Sequence, residues 1–149
     1  MISKHITFAE ATKSATASRL GINNNPSPEI IETMKTTAEN VFEPLRKKCG
    51  PIRISSFYRS PELNRAVGGA KQSQHMKGEA IDISGMKVTN AELFRVACQL
   101  EQFDQIIWEF GTLDEPDWIH ISYSKTHNRK QILRATKIGK RTAYVPYRK

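Results

Sequence analysis

The 149-residue chain contains no apolar run near the ~20 residues that would span a bilayer. Its longest such stretches, around Gln105-Ile106-Ile107-Trp108, are strand-sized. A soluble domain with one modest core is therefore the expectation, in preference to a membrane protein. The opening residues, Met1-Ile2-Ser3-Lys4-His5-Ile6-Thr7-Phe8, lack a basic start followed by an apolar core, so they do not read as a signal peptide. The expectation is synthesis in the cytoplasm, with any action elsewhere awaiting release by another agent. Cysteine is scarce. Cys49 and Cys98 stand alone, which rules out a disulfide framework and leaves neither with a partner at metal-ligand spacing. Cys98 lies in the apolar pattern Leu93-Phe94-Val96-Ala97-Leu100 and is expected to pack as a small hydrophobe. Repeats, low-complexity tracts and long linkers are also missing. The length then fits one domain with a single core, read as a helical lead-in over 1–50, a central part over 51–123 and a basic segment over 124–149.

Acid is absent from one region. From Lys125 to Lys149 every charged residue is basic, and the whole chain carries +8. Such an excess favours polyanions: nucleic acid, anionic lipid or the acidic polymers of a bacterial wall. Charge does not choose among them, and a solvated basic face is the plain alternative. Tyr144 and Tyr147 interleave with these charges, yet no nucleic-acid-binding motif accompanies them, so nucleic acid is the weakest of these partners.

The pattern along the chain predicts helices first and strands later. Thr7, with Glu10 three residues on, forms a capping box for a helix over 7–20. Ser27-Pro28-Glu29 opens a second helix. Its apolar residues Ile30, Ile31, Met34, Ala38, Val41, Phe42 and Leu45 recur at helical spacing up to Cys49-Gly50. Ile52–Ser56 then alternates as a strand, and Ser60-Pro61 starts a short helix. A strand over 79–84, a helix capped by Thr89, and strands over 104–110 and 118–123 follow. Residues 132–136 and 144–146 are expected as short edge strands. The sum is an α+β domain with a small, mostly antiparallel sheet and helices packed on it.

Chemistry concentrates in Ser73-Gln74-His75-Met76-Lys77-Gly78-Glu79-Ala80-Ile81-Asp82. His75 lies just before a strand in which Ile81 and Ile83 face the core while Ala80 and Asp82 face the other way. Ala80 is small and leaves space beside Asp82. A second cluster, Asp117-Trp118-Ile119-His120-Ile121-Ser122-Tyr123, places His120 between core isoleucines on a rigid strand. An imidazole pair and a carboxylate suit zinc, and three protein ligands leave a fourth position open, as in catalytic sites. A carboxylate must then handle the proton of the attacking water. Asp117 is the candidate, provided the strand begins after it; Glu115 and Asp114 are the fallbacks. Singly, a lone His120 reads as a hydrogen-bonded core residue, His75 as a loop residue and Arg59 as a surface ion pair. His5 and His127 lack ligand-spaced partners and are expected in solvent.

Three segments together resemble a known family. They are Ser73-x-His75-x-x-Gly78-x-Ala80-x-Asp82, the acidic-x-x-His element Asp117–His120, and Ser56-Phe57-Tyr58-Arg59-Ser60 followed by Asn64 and Gly68-Gly69. The family is that of the zinc D-Ala-D-Ala carboxypeptidases and L-alanyl-D-glutamate peptidases, with the Hedgehog/DD-peptidase fold, in its small phage and bacterial members. The resemblance implies one zinc ion at His75, Asp82 and His120, a base at Asp117, an Arg59 guanidinium that grips a peptide carboxylate, and a substrate contact from Ser73. Aspartate at position 117, where many carboxypeptidase members carry glutamate, is similar to usage in phage endopeptidases. The implied activity is hydrolysis of a peptide bond in peptidoglycan stem peptides, with the basic segment on anionic wall polymers and the protein released by lysis or carried on a virion. The alternative is a non-catalytic, zinc-containing module of the same fold that binds wall peptides or a protein.

Overall fold

The computed structural model describes residues 1–148. Lys149, the last cation of the basic segment, lies outside the described residues. The expected capping box at Thr7 and Glu10 is present, but the first helix is two short ones, α1 (Phe8–Thr12) and α2 (Ala15–Leu20). Lys13 is extended, and the Ser14 hydroxyl accepts the Ala17 N–H and starts the second. The long helix is likewise interrupted. α3 (Pro28–Thr37) passes through a π-helical turn, Ala38–Phe42, into α4 (Glu43–Cys49). Pro44 has no N–H for an ordinary helical bond, and the wider turn falls just ahead of it.

The remaining elements are β1 (Ile52–Ser56), α5 (Pro61–Ala66), a 3-10 turn (Gln74–Lys77), β2 (Ala80–Gly85), α6 (Asn90–Ala97), β3 (Gln105–Glu109), β4 (Trp118–Ser122), β5 (Gln131–Ile138) and β6 (Arg141–Pro146). The strands form a six-stranded sheet in the order β1-β2-β4-β3-β5-β6. All neighbouring pairs are antiparallel except β3 and β5, which run parallel. The fold is α+β, with a sheet that is mixed through that single pair. β5 is longer than expected and lies inside the sheet, not at its edge. The chain hops across β3 between β4 and β5, and Asp104 fastens that crossing by accepting the Arg129 backbone N–H together with two guanidinium N–H groups.

Alternation gives the sheet two different faces. Ile81, Ile83, Ile106, Trp108, Ile119 and Ile121 are buried with Met34, Val41, Phe42, Leu45, Leu93 and Phe94 from the helices. Burial of this kind contributes about 1.5–3 kcal/mol per large side chain, so this face supplies most of the drive to fold. The opposite face carries Ala80 and Asp82, His120 and Trp118, Ile107 and Glu109, and, further across, Leu133 and Tyr144; apart from Ala80 these line a cleft. The basic segment is mostly built into this sheet. The Arg134 guanidinium lies over the Trp108 and Tyr147 rings on the helix side, at 4.9 and 5.6 Å. No helix is long and apolar enough to cross a membrane among the described residues.

Candidate metal centre

The loop that carries His75 is held from several directions. Gly78 ends the 3-10 turn at φ +75, and a Cβ there would meet Met34 Cγ at 2.6 Å, so only glycine lets α3 pack this closely. The Thr37 hydroxyl of α3 donates to the Gly78 carbonyl at 2.9 Å. The Ser73 hydroxyl caps the turn by accepting the His75 N–H. The segment after β1 completes the hold. The Arg59 N–H donates to the His75 carbonyl, and the His75 ring Nδ1 lies 2.7 Å from the Phe57 carbonyl. A carbonyl only accepts, so Nδ1 carries the proton and Nε2 is left with a free lone pair.

That lone pair is the best test of whether a metal fits. His75 is only 1% exposed, and its Nε2 is buried without a hydrogen-bond partner. A buried, unmet nitrogen is a penalty that a coordinated ion would remove. It points at Asp82 Oδ1, 3.3 Å away, which also lies 3.0 Å from His120 Nδ1. One ligand atom from each of His75, Asp82 and His120 lies within 4.8 Å of the others, the spacing of three donors around one ion. The two imidazole rings stand edge to face with centroids 5.1 Å apart. Positive charge facing Asp82, on His75 chiefly and on His120, would hold its carboxyl well below the ordinary range despite its burial, and an ion among these three side chains would supply the same charge. An ionised carboxylate with unprotonated imidazole lone pairs is the donor set zinc takes. The pairing Asp82↔His120 across β2 and β4 sets two of the three candidate ligands directly opposite one another.

The cleft around them encloses about 560 Å³. Arg59 and Ser73 line it, linked by Arg59 Nη2 donating to the Ser73 hydroxyl at 3.4 Å, while Arg59 Nε is buried without a partner. Arg59 forms no ion pair within 4.0 Å among the described residues, so the plain reading of a surface salt bridge does not hold. Trp118 lines the cleft as well, with Phe110 against it at 5.4 Å between ring centroids.

Asp117 requires a correction. The strand does begin after it, at Trp118, yet its side chain is exposed and does not line the cleft. Its N–H donates to the Glu109 carbonyl and its own carbonyl accepts from Asn90, so backbone bonds fix it beyond the end of the β3–β4 ladder. Glu115 turns elsewhere too, accepting the Ala91 N–H with its carboxylate. The acid that reaches the cleft is Glu109, paired with Trp118 and one step along the ladder from His120. It is 6% exposed. Burial pushes its carboxyl up to about 7, opposed chiefly by His120 and reinforced by Asp82. The missed signal was a lone acid on the cleft-facing positions Gln105, Ile107 and Glu109 of an otherwise apolar strand. His5 is corrected likewise: its Nδ1 lies 2.6 Å from Glu43, tying the N-terminus to α4.

No curated protein matches the chain. The family profile described as Peptidase M15 matches residues 4–122, a span that includes the three candidate ligands, Arg59 and Glu109. M15 peptidases are zinc-dependent metallopeptidases, and the donor set of this cleft is the one such an enzyme needs. On the match over most of its length, the chain belongs to the Peptidase M15 family.

Proposed function

We propose that the chain hydrolyses a peptide bond in the stem peptides of peptidoglycan. The reading is carried by one observation: His75, Asp82 and His120 converge in a cleft that also holds a buried acid, Glu109, and Arg59, an arginine without an ion-pair partner among the described residues. Bound zinc would supply a water of lowered pKa and polarise the scissile carbonyl.

The chain's own residues do the rest. Phe57 holds the His75 ring with Nε2 turned inward, and Asp82 lies between the two imidazoles. Glu109 is the group placed to accept a proton from water and return it to the leaving amine. Its raised pKa, close to neutrality in the metal-free protein, suits a group that must both take and give. Arg59 offers its guanidinium to a substrate carboxylate, supported by Ser73. Trp118 and Phe110 wall the cleft with apolar surface and exclude water on that side. The basic character of the exposed C-terminal residues, Lys140, Arg141 and Arg148 among them, supports retention on anionic wall polymers, an attraction that salt weakens.

The deciding experiment is mass spectrometry of fragments released from purified peptidoglycan, with and without a chelator, for the zinc-loaded protein and for Glu109→Gln. Fragments cut at one stem-peptide bond, lost on chelation and in the variant, are expected. A protein that holds one zinc yet releases nothing from several wall types would instead be a binding module.

A further inference from the structure

The family match ends at residue 122, but the cleft does not. Leu133, Lys137, Thr142 and Tyr144, all from the β5–β6 hairpin, line the same space as the ligand set. The register explains how. Ala135 pairs with Glu109 on one side and with Tyr144 on the other, so Tyr144 sits level with Glu109, about two strand spacings or ~10 Å away. Between them only the methyl of fully buried Ala135 projects, which leaves a trough. Tyr144 is 53% exposed, and no hydrogen bond or ring contact ties its ring to the fold among the described residues.

One step further along lies Lys137, paired with Thr142. Its ammonium donates to the Thr142 hydroxyl at 3.2 Å and sits 5.3 Å from the Phe110 ring centroid. No acid lies within ion-pairing distance of it among the described residues. Phe110 holds a left-handed backbone at φ 57, rare for a bulky residue. That turn brings its ring to the same side as Glu109, where alternation alone would send it to the opposite face. The far end of the cleft is therefore built from an aromatic held by a strained backbone and, among the described residues, an unpartnered aromatic and a cation without a counter-ion.

We propose that the β5–β6 hairpin is the specificity wall of this peptidase: Tyr144 covers the bound peptide beside Glu109, and Lys137 selects a carboxylate on the residue that supplies the leaving amine. This rests on the peptidase reading above. Glu109 returns its proton to the departing amine, so that residue lies on the Glu109 side of the cleft, within reach of Lys137. Arg59 stands beside Ser73 and the His75 loop and serves a different part of the substrate. The electrostatics agree, since Glu109 is acted on by Lys137, and Tyr144 by Glu109, Asp82 and Arg59.

The test uses the full-length zinc-loaded protein and three peptides that differ only in the leaving residue: neutral with an amidated end, neutral with a free C-terminal carboxylate, and acidic in its side chain with an amidated end. Lys137→Gln is expected to raise KM about tenfold for one or both carboxylate peptides and leave the neutral one unchanged, with kcat and zinc content retained. Which of the two responds identifies the source of the carboxylate. Tyr144→Ala is expected to raise KM for all three. Lys47→Gln, which removes an exposed lysine of α4 that does not line the cleft, serves as the control. Equal KM changes for charged and neutral peptides in Lys137→Gln, or an unaltered KM in Tyr144→Ala, would overturn the proposal. The same panel is read by calorimetric binding to zinc-loaded Glu109→Gln. If the wild type cleaves nothing, the peptidase reading falls, while a carboxylate preference that disappears with Lys137→Gln still supports the wall. Absence of any such preference in the Glu109→Gln protein with Lys137 intact overturns it.

Discussion

The two sides of the cleft are built in opposite ways. On the ligand side, His75 is nearly inaccessible, its ring is held by Phe57, its N–H by Ser73 and its carbonyl by Arg59. On the hairpin side, Tyr144 and Lys137 are exposed and depend on sheet pairing, with one hydroxyl contact for Lys137. Residues that must hold an ion within a few tenths of an ångström are over-determined by hydrogen bonds. Residues that meet a peptide are left with rotamers to adjust. On the proposed reading, the contrast separates what would make the reaction possible from what would choose its substrate.

Breaking the ligand side should have the largest consequence. His75→Ala or His120→Ala is expected to drop zinc content to near zero and hydrolysis by roughly a thousandfold or more, read by metal analysis alongside peptide cleavage. Next comes the acid that joins the two sides. Glu109→Gln should lower kcat by about two to four orders of magnitude with zinc still bound, whereas Asp117→Asn should stay within about threefold of wild type. A reversal of those two results would return the base to position 117.

A smaller loss is expected behind the ligand side. The buried Asn24 amide donates to the Thr12 and Tyr58 carbonyls and accepts the Ser60 N–H, clamping the strip that carries Phe57 and Arg59. Asn24→Ala should lower stability by about 1–3 kcal/mol in urea unfolding and weaken zinc binding as well. An unaltered zinc affinity would show that the strip keeps its shape without the clamp.

The smallest effect concerns pH. In the metal-free protein the Glu109 carboxyl should titrate near 7, followed by carboxyl-carbon NMR. The folded state then binds more protons than the unfolded chain between the ordinary value of 4.5 and about 7. Stability from this group accordingly falls as pH rises through that window, and Glu109→Gln should raise Tm at neutral pH by about a few degrees. Zinc binding should shift the titration downward. A midpoint near the ordinary carboxylate value without metal would remove the case for a desolvated acid.

Much of this is legible in the sequence alone. Ser73 to Asp82 is a contiguous string, and alternation around Ile81 and Ile119 places Asp82 and His120 on a common face without knowledge of what lies beside them. Thr7, Ser27 and Thr89 announce helix starts that the structure contains. Other features were hidden. Ser14 as a second cap was masked by the apolar spacing around it, and Pro44 sat inside a helical period that continued through it. Glu109 could not be singled out because its role depends on β3 lying beside β4. The interior position of β5 follows from a chain crossing whose anchor, Asp104 with Arg129, joins residues far apart in sequence.

By itself the sequence determined His75, Asp82 and His120 as the candidate ligand set, the helix caps and the two-faced character of each strand, because these depend on neighbours within a few residues. Only the tertiary structure decided which acid enters the cleft and which segment walls it. Strand order and register are settled by burying one continuous face against the helices, and that choice brings Glu109, Ala135 and Tyr144 into line across three strands.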